Sequence, residues 1–165
     1  MFEVGEVAVY PGHGVAKIES IEEKEFSGGM KQAFYIMRIL DTDMTIMVPV
    51  DGTKNAGLRC VIDSCEVKRV YEILKDRNIA HDNAPWNRRY KEYMEKIKSG
   101  SIFEVAMVLR ELYSLRVWKE LSFGEKKMFE IARNLIKKEL SIALEKEEQM
   151  IEEEIEGIFL KNYKD

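Results

Sequence analysis

Near residue 56 the spacing of apolar side chains switches from every second position to every third or fourth, restricting the chain to a β-rich first part and a helical second part. Before the switch, Val7 and Val9 alternate with polar neighbours. Pro11-Gly12-His13-Gly14 is a turn signal, and Ile18 and Ile21 precede a second turn at Ser27-Gly28-Gly29. Two more strands are predicted over 33–40 and 44–50, joined by Asp41-Thr42-Asp43. About five strands in so short a segment predict a small antiparallel β-barrel of the SH3-like or Tudor-like kind.

After Asn55-Ala56-Gly57-Leu58-Arg59 the period is helical, with Val67, Val70, Tyr71 and Leu74 on one stripe, and no strand signal returns. Ser101-Ile102-Phe103-Glu104 and Ser122-Phe123-Gly124-Glu125 both match the capping box, in which serine and glutamate satisfy orphan backbone donors, so helices should begin at both. The first carries Val105, Val108, Leu109, Leu112 and Tyr113. The second carries Met128, Ile131, Ala132, Leu135, Ile136 and Leu140, and the two stripes are predicted to pack together. A final acidic helix keeps Ile151, Ile155, Ile158 and Phe159 on one face, either docked by that face or offering its charge to a basic partner. The fold class is α+β: a barrel over 1–55 followed by an all-α helical domain over 56–165.

With 45% hydrophobic and 10% aromatic residues among 165, the chain can build real cores, which excludes intrinsic disorder. The start, Met1-Phe2-Glu3-Val4-Gly5-Glu6, is neither basic nor strongly apolar and no long apolar run follows, which predicts a cytoplasmic protein with no membrane span. Cys60 and Cys65 then read as reduced, small, partly buried side chains. His13 and His81 supply too few further ligands for a metal.

Charge is unevenly distributed. Residues 1–52 hold 4 Lys/Arg against 9 Asp/Glu, residues 53–120 hold 14 against 10, and residues 121–165 hold 8 against 11. A basic middle within a chain of net charge −4 predicts weak free binding to polyanions that depends on a second tether.

Within that middle, Pro85-Trp86-Asn87-Arg88-Arg89-Tyr90-Lys91 places an aromatic ring beside three cations. Such a combination suits insertion of a side chain into the DNA minor groove with phosphate contacts around it. Two registers are open. A helix starting at Asn83 puts positions 86, 90, 93, 94 and 97 on one face and Trp86 in the core; a cap at Asn87 leaves Trp86 outside the helix and pointing outward. Arg88, Lys91 and Lys98 lie apart from the apolar stripe, while Arg89 and Lys96 flank it.

On the strand 44–50, Met44, Ile46, Val48 and Val50 share one face and Thr45, Met47 and Pro49 the other. Proline cannot donate a ladder hydrogen bond, so Pro49 marks an edge strand with Met47 exposed beside it. Such an edge either accepts a strand from a partner or is blunted against doing so. Catalytic signals are absent: Gly12-His13-Gly14 lacks the third glycine of a dinucleotide loop and reads as a turn, and neither histidine has triad neighbours. No cofactor is implied.

Four motifs resemble the CarD/CdnL family of bacterial transcription regulators: Val9-Tyr10-Pro11-Gly12-His13-Gly14-Val15, Ile46-Met47-Val48-Pro49, Trp86-Asn87-Arg88-Arg89-Tyr90 and Leu121-Ser122-Phe123-Gly124-Glu125-Lys126-Lys127-Met128. The first half also looks like the polymerase-interacting module of transcription-repair coupling factors, whose helicase domains this chain has no room for. The resemblance implies a Tudor-like domain binding the β subunit of bacterial RNA polymerase and a helical domain contacting promoter DNA. It carries Met47 and Pro49 over as the polymerase-binding strand, Trp86 as the DNA wedge, and Arg88, Arg89 and Lys91 as its basic neighbours. Some family members place arginine where Met47 stands, which makes the polymerase contact here more apolar. Trp118 lies outside the shared motifs and is expected to pack between helices.

What the resemblance implies for function is a non-enzymatic regulator that stabilises the promoter open complex with little sequence readout, and that reaches the nucleoid through polymerase. The alternative is a polymerase-independent protein–protein interaction module with Trp86 in its core.

Overall fold

The computed structural model describes residues 2–51, 57–77 and 84–162, and the chain divides into two compact units, Met1–Val61 and Ile62–Asp165. In the first, strands β1 (Val7–Tyr10), β2 (Gly14–Phe26), β3 (Met30–Ile39) and β4 (Thr45–Pro49) pair antiparallel in chain order as a half-barrel. The described residues hold four strands where about five were expected. The remaining pairing is a single bridge in which Val9 and Arg59 exchange both backbone hydrogen bonds, at 2.7 and 3.1 Å.

Gly12-His13-Gly14 is a turn, with Gly12 at φ 80° and Gly14 at φ 87°, a region costly for residues that carry a Cβ. In β2 the register moves from Ile18↔Met37 to Ser20↔Ile36, so Glu19 is an extra residue that bends the strand. Its carboxylate accepts from Arg38 Nε at 2.7 Å, while Arg38 Nη1 donates to Asp43 at 2.9 Å and ties down the β3–β4 turn. Ala8, Ala16, Ile18, Tyr35, Met37, Ile39 and Val48 form the core of this unit. The buried Tyr35 hydroxyl accepts from the Phe2 backbone at 3.0 Å.

The second unit contains α1 (Ser64–Lys75), α2 (Trp86–Lys98), α3 (Ile102–Trp118), α4 (Phe123–Leu144) and α5 (Glu148–Asn162). Asp63 caps α1 in a reciprocal box with Glu66. Both α3 and α4 begin at their serines as expected, but only Ser122 forms the full box, with Glu125 returning the bond; Ser101 accepts from the Glu104 N–H while its own N–H donates to Ser99 Oγ at 3.2 Å. Val67, Val70 and Leu74 of α1, Val105, Val108, Leu109, Leu112 and Tyr113 of α3, and Met128, Ala132, Ile136 and Leu140 of α4 are all buried in one cluster. Ile151, Ile155 and Phe159 dock α5 into the same cluster by one face.

The acids of α5 find partners within the unit. Glu152 lies 3.5 Å from both Arg133 and Lys137, Glu148 lies 2.8 Å from Lys138, and Glu154 accepts from the Tyr71 hydroxyl at 2.7 Å. Burial raises the Tyr71 phenol, and the Glu154 contact raises it further.

Two expectations are corrected. Cys60 and Cys65 are free thiols, as expected, but both are exposed rather than partly buried; Cys65 falls off the Val67–Val70–Leu74 stripe. Trp118 does not pack between helices and is 75% exposed. It lies nine residues beyond Leu109, a rotation of about 180° at 3.6 residues per turn, so it points away from the buried stripe.

Candidate functional site

Helix α2 begins at Trp86, with Pro85 as its N-cap at φ −56° and ψ 151° and no side-chain cap. The alternative start at Asn83 falls outside the described residues. Asn87 is not the cap: it sits inside the helix, because the Pro85 carbonyl already accepts from the Arg88 and Arg89 N–H groups, each at 3.1 Å. Proline suits this place, since its fixed φ fits the entry and its missing N–H would have had no helical partner. Tyr93 and Ile97 are buried, Met94 is half-buried, and Tyr90, on the same face one turn from Trp86, is 47% exposed.

Trp86 itself is half-buried, packed against the core cluster by part of its ring, neither standing in solvent nor sealed inside the bundle. Its ring centroid lies 5.8 Å from that of Tyr90 and 6.3 Å from that of Tyr93. The indole runs so close to Gly124 of α4 that an added Cβ there would sit 2.8 Å from Trp86 Cζ2.

The three neighbouring cations part company. Arg88 is exposed and forms a 3.5 Å pair with Glu92 one turn along, and Lys91 is exposed on the solvent side. Exposed pairs of this kind are weak, so exchanging the carboxylate for a phosphate costs Arg88 little. Arg89 instead turns inward, with its side chain 13% exposed. Its Nη1 donates to Glu125 at 3.0 Å, its Nε donates to the Ala84 carbonyl at 3.2 Å, and its guanidinium carbon lies 5.1 Å from the centre of the Trp86 ring.

Glu125 is fully buried, yet both of its oxygens are hydrogen-bonded. One accepts from Arg89; the other accepts from Lys119 Nζ and from the Ser122 backbone N–H, both at 2.9 Å. Burial by itself would raise the carboxyl, but the Ser122 backbone donor, Lys119 and Arg89 outweigh it and hold the group down to about 2.

Phe123, which precedes Gly124, is 86% exposed and was missed by the sequence reading. The available signal was its place five residues before Met128, off the buried stripe of α4. The open groove beside Trp118, about 620 Å³ and lined in part by Arg116, Lys126, Phe129 and Arg133, has much of its charge engaged in pairs with Glu120 and Glu152.

In the first unit Met47 is 48% exposed and faces outward with Pro49, as the alternation predicts. Across the strand pair Met47 lies opposite the half-buried Ile36, and Pro49 opposite Phe34, which is buried with its ring centroid 5.9 Å from that of Phe26. Among the described residues no strand pairs with the outer edge of β4. Phe34 and Ile36 also went unrecognised. Residues 33–40 are apolar on both faces, a pattern that fits a strand covered on two sides.

Family comparisons match both units. The CarD-like/TRCF RID domain matches residues 2–62, and the CarD C-terminal domain matches residues 69–156. YdeB of Bacillus subtilis (strain 168), named a candidate transcription factor, is 38% identical over 146 residues, covering 86% of this chain and 92% of that protein. Among solved structures, CdnLNt from Myxococcus xanthus is 44% identical over 38% of this chain and 86% of its own, with a TM-score of 0.32. With both of its units matched in order and a relative aligned along nearly its full length, the chain belongs to the CarD/CdnL family of transcription regulators.

Proposed function

We propose that the first unit binds the β subunit of bacterial RNA polymerase through the outward face of β4, and that the second unit lays Trp86 into the minor groove at the upstream edge of the melted promoter. Reannealing must then expel the ring, so the open complex persists. The observation that carries this reading is the half-buried indole at the start of α2, held from below by Gly124 with exposed Arg88 and Lys91 beside it. Those residues combine an apolar wedge with phosphate-reaching cations, the pairing that minor-groove insertion uses. The protein sits on the nucleoid through polymerase in this scheme.

A net charge of −4 weakens free DNA binding, and tethering through polymerase offsets this by raising the effective concentration of promoter DNA to about millimolar. Sequence readout is slight, because the minor groove offers a degenerate pattern. The test is a binding assay on purified polymerase together with the lifetime of promoter open complexes, with and without the protein. The expected result is β-dependent binding and a longer lifetime. Absence of binding overturns the reading.

Two variants probe the parts separately. Met47→Glu places a carboxylate in an apolar contact and is expected to weaken polymerase binding by roughly a hundredfold or more; affinity retained in a pull-down would put the interface elsewhere. Replacing Arg88 and Lys91 with alanine is expected to lower the salt slope of DNA binding by about one per residue. Arg89→Ala, whose guanidinium is committed to Glu125, should change that slope less. Equal effects at all three positions would contradict this division of roles.

A further inference from the structure

We propose that Gly124 and the Glu125–Arg89 pair are positioning residues that set the indole of Trp86 in its inserting orientation before DNA arrives. This inference rests on the reading of Trp86 as a wedge. Gly124 is the second residue of α4, in a helical position without the positive φ that would call for glycine. Helix propensity favours alanine there. What glycine provides is room: a Cβ would lie 2.8 Å from Trp86 Cζ2 and 3.1 Å from both Cε2 and Nε1, so one whole edge of the indole rests on this backbone.

The next residue supplies the second constraint. Glu125, held by Lys119 and the Ser122 N–H, fixes Arg89 at 3.0 Å. Arg89 in turn reaches back to the Ala84 carbonyl just ahead of Pro85 and sits by the Trp86 ring. The start of α4 thus clamps the start of α2 around one side chain. A ring ordered in advance loses less rotamer freedom on insertion than a mobile one, which favours the inserted state.

The experiment uses full-length protein carrying Trp118→Phe, so that Trp86 is the only tryptophan. Gly124→Ala is expected to displace the ring, changing Trp86 emission and anisotropy, and to shorten open-complex lifetime roughly two- to tenfold with polymerase binding unchanged. In a Trp86→Ala background, Gly124→Ala is expected to add nothing, since no ring remains to displace; a purely structural role would give additive losses. Arg89→Lys, which keeps the charge but loses the planar fork, supplies the same readouts should Gly124→Ala fail to fold. Unchanged emission and lifetime in these variants, with Trp86→Ala still shortening the lifetime, overturns the positioning role and leaves the wedge standing. No effect of Trp86→Ala overturns the wedge, and the positioning role with it.

Discussion

Replacing Trp86 with alanine is expected to shorten the lifetime of the promoter open complex by about ten- to a hundredfold, while affinity for polymerase is unchanged. Contact between an aromatic ring and a base contributes roughly 1–3 kcal/mol, and each ~1.4 kcal/mol lost from the melted state speeds its collapse about tenfold. Met47 and Pro49, the proposed polymerase contacts, belong to the other unit, so binding should survive. The ring is only half-buried, so its removal should cost less than the roughly 3–5 kcal/mol typical of a core aromatic, and the fold should persist. Lifetime is read by challenge with a competitor, and circular dichroism checks the fold. An unaltered lifetime in a folded variant would assign Trp86 to packing alone.

Glu125→Ala should destabilise the second unit about as much as truncating a core aromatic would. It removes the reciprocal half of the α4 capping box and leaves Arg89, largely buried, without its counter-charge. Stripping one partner from a buried pair costs about 3–5 kcal/mol, more than the pair contributes by existing, because the remaining charge is stranded. Both tryptophans lie in this unit, so denaturant melts followed by their fluorescence report it directly.

Acid gives an independent check. The Glu125 carboxyl is held down to about 2 from an ordinary value of 4.5, first against burial and then by Ser122, Lys119 and Arg89. A depressed folded value means the stabilisation is fully present above about pH 4.5 and lost as pH falls from there towards 2. The amount at stake is on the order of 3 kcal/mol. Glu125→Gln should therefore lie well below the wild type at pH 7 and approach it near pH 2. A gap independent of pH would show that the ionised form is not what matters.

The starts of α3 and α4 and the buried faces of the helices were legible because caps and stripes are local, whereas α2 starts at neither of the two places its sequence offered. Ser101 and Ser122 each need only one turn of helix to be read, and the spacing of Val105 to Tyr113 only about two. The clamp on Trp86 was not legible, because Glu125 lies 36 residues from Arg89 and its capping role already explained its presence. Arg89 was grouped with Arg88 and Lys91 as a DNA contact for the same reason: spacing put it at the edge of the stripe but cannot say which distant carboxylate waits there. Trp86 could be read two ways, and the fold adopts an intermediate arrangement, with Pro85 as the cap and the ring resting on glycine. Trp118 was assigned to packing because it lies outside the shared motifs; its angular position on α3 pointed outward.

The bridge between Val9 and Arg59 has a further consequence for association. It occupies part of the free margin of β1, while β4 at the opposite end of the meander is open among the described residues. A sheet with one sticky side can recruit one additional ribbon and then stops, whereas two sticky sides permit endless stacking. Partly occupying the first margin thus disposes the sheet towards one-to-one attachment over fibre growth, and Pro49, lacking an N–H, makes even that attachment selective for what docks there.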